Sequence, residues 1–355
     1  MRFGLIGLGA AGRSHLAVLA KMPEIEIVGI ADLQEQYVRE MQEQYSLPRG
    51  VTDPAELIAD PDIEVIAIAA GDRAHYPLVM ACAAARKHVV CEKPIATDVG
   101  HAREMVAAME AAGKLLCISF NNRTDSVTRR VREVAQSGVV GNIRMVRLIG
   151  LMAAPDNRLL RDRMGEQAAY QRLLNICEDG KNAMFDCGVH SFDFARFLTG
   201  GDFARIEAMG YNLRGLTYPD HGVALCVMDN GIFVLIEKGF DYAFEARDYK
   251  EYVRYEVLGD AGSLAWDLDT QTLRVYGRDE TLQEPLGHGG KGDVRELIYR
   301  DFVHSVQQGQ LQPWLASGMD GLKATEAALT AVESMMAKGV ATRDVGPVRN
   351  WFEQA

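Results

Sequence analysis

The sequence predicts an α/β fold: an N-terminal Rossmann domain with a doubly wound parallel sheet, then an α+β domain with a large, open, mostly antiparallel sheet. Three observations predict it. Short apolar runs alternate with helix-length patterns up to residue 120, a Gly7-x-Gly9-x-x-Gly12 loop follows the first run, and beyond about residue 123 the runs take on period-2 alternation. The 355 residues suffice for two domains, expected at 1–122 and 123–355, and 48% apolar residues supply a core for each.

In the first domain, Arg2–Ile6, Ile25–Ala31, Val65–Ala69, His88–Cys91 and Leu115–Ser119 read as parallel strands buried on both faces. Arg13–Met22, Glu35–Tyr45, His75–Ala85 and Val99–Ala112 are rich in Ala, Leu, Met and Glu and read as the helices between them, the last closed by Gly113. In the second domain, Ile143–Leu151, Ile206–Leu213, Gly222–Met228, Ile232–Lys238 and Tyr252–Leu258 alternate as half-buried strands do. Asp229-Asn230-Gly231 is a hairpin signal, because Asn-Gly tolerates the positive φ of a tight turn. The irregular stretch Met152–Asn182 reads as a functional insertion, and Met319–Lys338 as a final helix closed by Gly339.

Composition narrows the function. Lys and Arg number 38 against 49 Asp and Glu, a net charge of −11, with no dense basic block, so neither nucleic acid nor an anionic membrane is an expected partner. Six cysteines without a Cys-x-x-Cys pair fit reduced, buried thiols and a cytoplasmic location. No run approaches the ~20 apolar residues of a membrane span, and Phe3–Leu8 is too short and glycine-broken for a signal peptide.

The glycine loop carries the clearest chemistry. Gly7 permits a tight turn, Gly9 lets backbone approach a pyrophosphate, Gly12 lets helix pack on strand, and the loop Gly7-Leu8-Gly9-Ala10-Ala11-Gly12 leads into the first helix, whose N-terminus favours negative charge. Twenty residues after Gly12, Asp32 ends the second strand, where a carboxylate can accept hydrogen bonds from a ribose. Leu33 and Gln34 follow it in place of a basic pair, so NAD(H) is expected over NADP(H).

Glu92-Lys93-Pro94 follows the fourth strand at the carboxyl edge of the sheet, where such folds bind ligands. The Lys93 ammonium can stabilise the alkoxide character that develops during hydride transfer, although Lys-Pro taken alone reads more readily as a solvated surface lysine beside a turn proline. Asp186 and His190 are four apart at the opening of a helical pattern and share a face. The imidazole can take a hydroxyl proton and the carboxylate can orient it; alone, the pair also reads as a helix N-cap and a core histidine. Cys187-x-x-His190 lacks further ligands, so no metal is expected.

Gly7-x-Gly9-x-x-Gly12, Asp32, Glu92-Lys93-Pro94, Asp186-x-x-x-His190 and Glu256-Val257-Leu258-Gly259-x-x-Gly262 together resemble the Gfo/Idh/MocA oxidoreductase family, which includes glucose-fructose oxidoreductase and inositol dehydrogenase. The resemblance spans nearly the whole chain. It implies that Lys93 and His190 are catalytic with Asp186 beside them, and that Ala70, Gly71, Arg73, His75, Glu92, Lys93 and Asn121 contact the cofactor. It also implies that the final helix, about 318–338, packs back toward the Rossmann domain, and that the open sheet face pairs subunits into a homodimer or homotetramer. Ala70-Gly71-Asp72-Arg73-Ala74-His75 departs from the Thr-Pro-Asn that the family often carries before a histidine.

The expected activity is NAD-dependent hydride transfer at a secondary hydroxyl or ketone of a sugar, sugar derivative or cyclitol. Arg123, Arg163, Tyr170, Asn175 and Tyr242 are pocket candidates from the domain junction and the expected loops, alongside Lys93, Asp186 and His190. Two alternatives stand beside this. One is an enzyme that recycles a tightly bound NAD for epimerisation, elimination or glycoside cleavage through a keto intermediate, and the other is a non-catalytic nucleotide or sugar sensor.

Overall fold

The computed structural model describes residues 1–153, 158–169, 182–212, 218–248, 250–287 and 294–337. The chain opens with β1 (Arg2–Ile6), α1 (Ala10–Leu19), β2 (Glu26–Ala31), α2 (Glu35–Tyr45), β3 (Gly50–Val51) and α3 (Ala55–Ile58). It continues through β4 (Val65–Ile68), α4 (Asp72–Ala84), β5 (His88–Cys91), α5 (Val99–Ala111) and β6 (Leu116–Ile118). A 3-10 turn at Asn121–Arg123 precedes α6 (Ser126–Gln136), β7 (Ile143–Leu151) and α7 (Arg158–Met164). A π-helical turn, Ala183–Cys187, leads into α8 (Gly188–Thr199). Then come β8 (Phe203–Tyr211), β9 (His221–Met228), β10 (Phe233–Gly239), β11 (Tyr252–Gly259), β12 (Ser263–Asp267), β13 (Thr272–Tyr276) and β14 (Thr281–Pro285). The described chain closes with α9 (Val294–Gln308), β15 (Ala316–Ser317) and α10 (Gly318–Ala337).

Two compact units result. The first joins Met1–Val134 to Phe192–Leu198 and Leu286–Glu326; the second holds the described residues of Ala135–Ser191, Thr199–Pro285 and 327 onward. The sequence boundary at 122/123 therefore does not follow the contacts, which draw three separated segments into the first unit.

Its sheet runs β15-β6-β5-β4-β1-β2-β3, parallel throughout except for the edge strand β15. Phe3, Leu5, Leu16, Leu19 and Ile30 are at most 1% exposed and pack with Tyr299 and Phe302 of α9. Each such side chain contributes about 1.5–3 kcal/mol on burial. Gly318 lies against Leu116, an ideal Cβ there falling 2.7 Å from Leu116 Cδ2, and Arg103 pairs with Glu326 at 2.6 Å.

Arg123 also belongs to this core, which corrects its expected place in a substrate pocket. Its Nε and a terminal nitrogen donate to the two oxygens of buried Asp193 at 2.8 and 2.6 Å, and the guanidinium pairs with Asp320 at 3.1 Å. With its donors directed inward, Arg123 ties the three segments of the first unit together.

The second unit is built on an eight-stranded sheet, β14-β13-β12-β11-β7-β10-β9-β8, antiparallel except where β10 runs parallel to β7. One face buries Ala224, Cys226, Val234 and Ile236, and Met335 of α10 packs there against Gly222. The opposite face exposes Met209, Leu225 and Phe233 by 66%, 54% and 58%. The β9–β10 connection differs in detail from the Asn-Gly expectation. Only Gly231 takes a positive φ, +83°, and its N–H donates to the Met228 carbonyl, so this is a three-residue loop closed by a left-handed glycine.

Candidate active site

The glycine loop is shaped by sterics that a side chain would violate. Gly7 has φ +94°, and a Cβ there would lie 2.5 Å from the Ala70 nitrogen. A Cβ on Gly12 would lie 1.9 Å from the Gly7 carbonyl oxygen. Gly9 is different: nothing stands within 4 Å of its Cβ position, and no side chain caps α1. The helix begins at Ala10 rather than at the expected Arg13, because Ala10 and Ala11 are good helix formers. Its first N–H groups therefore open onto free space with the positive end of the helix dipole, a setting for a pyrophosphate.

Asp32 is held at this loop. Its Oδ2 accepts from the Leu8 N–H at 2.7 Å and its Oδ1 from the Gln34 N–H at 2.8 Å, leaving a lone pair on each oxygen for ribose hydroxyls. A cavity of about 420 Å³ joins Gly9 and Asp32 to Gly71, which also has nothing within 4 Å of its Cβ position, with Leu33, Pro54 and Leu78 as apolar walls. Asn121 Oδ1 is buried without a hydrogen-bond partner among the described residues. These features fit a dinucleotide. Gly9→Ala should leave the melting temperature within about 1 °C and weaken NADH binding roughly tenfold or more, whereas Gly12→Ala should cost more than about 3 kcal/mol of stability. Fluorescence titration with NADH and thermal denaturation check the pair; equal behaviour of the two variants would contradict these roles.

Lys93 sits in a well-fixed corner of the first unit. Its N–H donates to Glu92 Oε2 at 3.1 Å, and the Lys93-Pro94 peptide is cis. Glu92 Oε1 meets His15 Nε2 at 2.7 Å and the Tyr299 hydroxyl meets His15 Nδ1 at 2.7 Å, a hydrogen-bonded chain from Tyr299 to the carboxylate. Burial pushes the Glu92 carboxyl up, but the His15 hydrogen bond and the charges of His15, Lys93 and Arg295 hold it down to about 2. His75 is fully buried with its ring nitrogens 2.8 Å from the Pro94 carbonyl and 3.1 Å from that of Ala70. That geometry makes it a brace between the two cofactor-side loops rather than a surface facing a ligand. Sequence reasoning missed His15, Tyr299 and Arg295.

Asp186 and His190 lie in the second unit. The expected helix start at Asp186 is corrected: Asn182 is the cap, its Oδ1 accepting from the N–H groups of Met184 and Phe185 at 3.0 Å, and Asp186 falls inside the π-helical turn. Of the remaining candidates, Arg73 and Arg163 are exposed, Ala70 lines the cavity, and Tyr242 is half-buried with its ring 5.9 Å from that of Tyr252. Tyr170 and Asn175 lie outside the described residues.

A strand, a glycine loop, a helix left open at its N-terminus and an acid ending the next strand define a dinucleotide-binding Rossmann protein. The model described as "Oxidoreductase family, NAD-binding Rossmann fold" matches residues 1–120, and the GFO/IDH/MocA C-terminal domain matches residues 128–265. Myo-inositol 2-dehydrogenase of Thermotoga maritima is 29% identical over 353 residues, covering 95% of this chain and 97% of its own. An oxidoreductase of Agrobacterium radiobacter solved with NAD+, L-tartaric acid and magnesium superposes with a TM-score of 0.80 at 20% identity, over 96% of this chain and 97% of its own. A levoglucosan dehydrogenase solved with NADH and levoglucosan gives 0.77 at 22%, over 96% and 98%. The chain belongs to the Gfo/Idh/MocA family of NAD-binding oxidoreductases.

Proposed function

We propose that the protein is an NAD-dependent dehydrogenase acting on a secondary hydroxyl of a polyhydroxylated small molecule, a sugar, sugar derivative or cyclitol. The observation that carries this is the open glycine cradle with Asp32, in the same unit as a Lys93 whose backbone is pinned by Glu92. The relatives named for inositol and levoglucosan oxidation support the substrate class.

Bound NAD supplies the hydride acceptor. Gly9, Ala10 and Ala11 would hold the pyrophosphate by backbone N–H groups, Asp32 would hold the adenosine ribose, and Asn121 would offer its buried oxygen. On the substrate, His190 takes the hydroxyl proton, Asp186 orients it, and Lys93 donates to the oxygen as it gains charge. Absorbance at 340 nm over a panel of sugars, aldonates and cyclitols with NAD tests this. Net NADH formation with at least one member is expected; turnover without it would favour a recycled cofactor, and no turnover of any member a sensor.

We also propose a cytoplasmic homodimer or homotetramer. Cys82, Cys91, Cys117, Cys187 and Cys226 are free, as in a reducing compartment, and no helix among the described residues is long and apolar enough to cross a membrane. The apolar sheet face around Met209, Leu225 and Phe233 is the surface a second copy would cover. A monomer mass by light scattering at micromolar concentration, or recovery from an oxidising compartment, would count against it.

A further inference from the structure

Lys238 stands out in the second unit. It lies on β10 with Val234 and Ile236, on the buried sheet face. Its register partners on the two flanking strands are both glycines, Gly150 on β7 and Gly222 on β9. An ideal Cβ on Gly150 would fall 2.4 Å from Lys238 Nζ, so the bare backbone of β7 is the floor on which the amine rests. An ideal Cβ on Gly188 would lie 3.6 Å from Lys238 Cγ, and Gly188 stands in the chain between Asp186 and His190.

The base of the Lys238 side chain is therefore packed beside the segment that carries the proposed acid–base pair, yet Lys238 keeps partial exposure. Among the described residues no aspartate or glutamate pairs with it. Burial lowers its pKa, opposed by the charge of Cys187. An ammonium held this way is poorly solvated, and a carboxylate brought to it would restore what its described neighbours withhold.

We infer that Lys238 is a substrate-recognition residue that binds an anionic substituent, a carboxylate, on a polyhydroxylated substrate held over the second unit. The inference rests on the dehydrogenase reading for what the substrate is, and it narrows that substrate to a polyhydroxy acid. The reacting C–O bond is left to Lys93, Asp186 and His190; Lys238 takes the carboxylate, as one bond of a charge-assisted pair.

The test uses two matched probe pairs, D-glucuronate with D-glucose and D-gluconate with D-glucitol, titrated by calorimetry into the full chain saturated with NADH. The acid of at least one pair should bind tenfold or more tightly than its neutral partner. Lys238→Met, which removes the charge and keeps the chain length, should abolish that preference while leaving the melting temperature unchanged or raised. Gly150→Ala, which displaces the amine without removing its charge, should reduce the preference in the same direction. No preference in either pair, or one that persists in Lys238→Met, would overturn the inference. Turnover of neutral sugars without acid preference would remove it and leave the dehydrogenase reading in place. Acid preference without hydride transfer to any panel member would do the reverse.

Discussion

Lys93→Met and His190→Asn should each lower kcat by about two to four orders of magnitude while NADH binds as before. General-base transfer contributes about 10²–10⁴-fold, and one donor aimed at a developing oxyanion about 10²–10³-fold, so either loss lies far outside assay error. Both interactions strengthen only as the C–O bond changes, so kcat and kcat/KM should fall together with little change in KM. The Lys93 variant should fold normally. Its side chain is partly exposed, and Glu92 keeps its hydrogen bond from His15 when the ammonium is gone. Lys93→Arg should recover little, because a planar guanidinium cannot replace a compact ammonium at a fixed distance. The double variant is the sharper experiment. If the two groups act on one C–O bond, as proposed, the double loss should be close to the larger single loss, whereas multiplied losses would separate their roles. Turnover within about threefold of wild type in both single variants would remove them from the chemistry.

What was legible in the sequence follows from how each feature is held. Five of the seven strands of the first sheet were readable because burial on both faces demands unbroken apolar runs, and Gly7, Gly9, Gly12 and Asp32 because one turn fixes their spacing. The two-residue strands β3 and β15 have no pattern to read, and β12 to β14 mix Asp267, Arg274 and Glu284 into short segments. Helix α9 escaped because its apolar stripe is narrow and flanked by charge, yet it delivers Tyr299 to His15 across 284 residues of chain. That separation explains the illegible part of the site. The His15–Glu92 contact spans 77 residues and no local rule links the two. Lys238 was hidden for another reason: a lysine in an alternating strand reads as a solvent-facing residue until the glycines on both neighbouring strands are seen beside it.

Arg123→Ala should destabilise the protein by about 3–5 kcal/mol, because it strands a charge rather than trimming a contact. Asp193 is fully buried and takes two hydrogen bonds from the guanidinium; without them it must stay charged in an apolar site or bind a proton. Asp193→Asn should cost less than Arg123→Ala, since an amide oxygen still accepts and Arg123 keeps Asp320 at 3.1 Å. The double variant Arg123→Met/Asp193→Leu should recover much of the loss, since apolar pairs of similar volume commonly match buried ion pairs. Acid pH offers a second readout through Asp320. Burial raises its carboxyl, but the Arg123 charge and hydrogen bonds from Arg196 and the Ser317 backbone hold it at about 2, below the ordinary 3.8. A folded-state value below the unfolded one stabilises the fold above the unfolded value and loses that effect as pH falls through the folded one. The stability gap between wild type and Asp320→Ala should therefore be constant above about pH 5 and shrink between about pH 4 and 2. Denaturant melts across that range check the sign, and a gap that grew on acidification would show that the Asp320 carboxylate does not stabilise this unit.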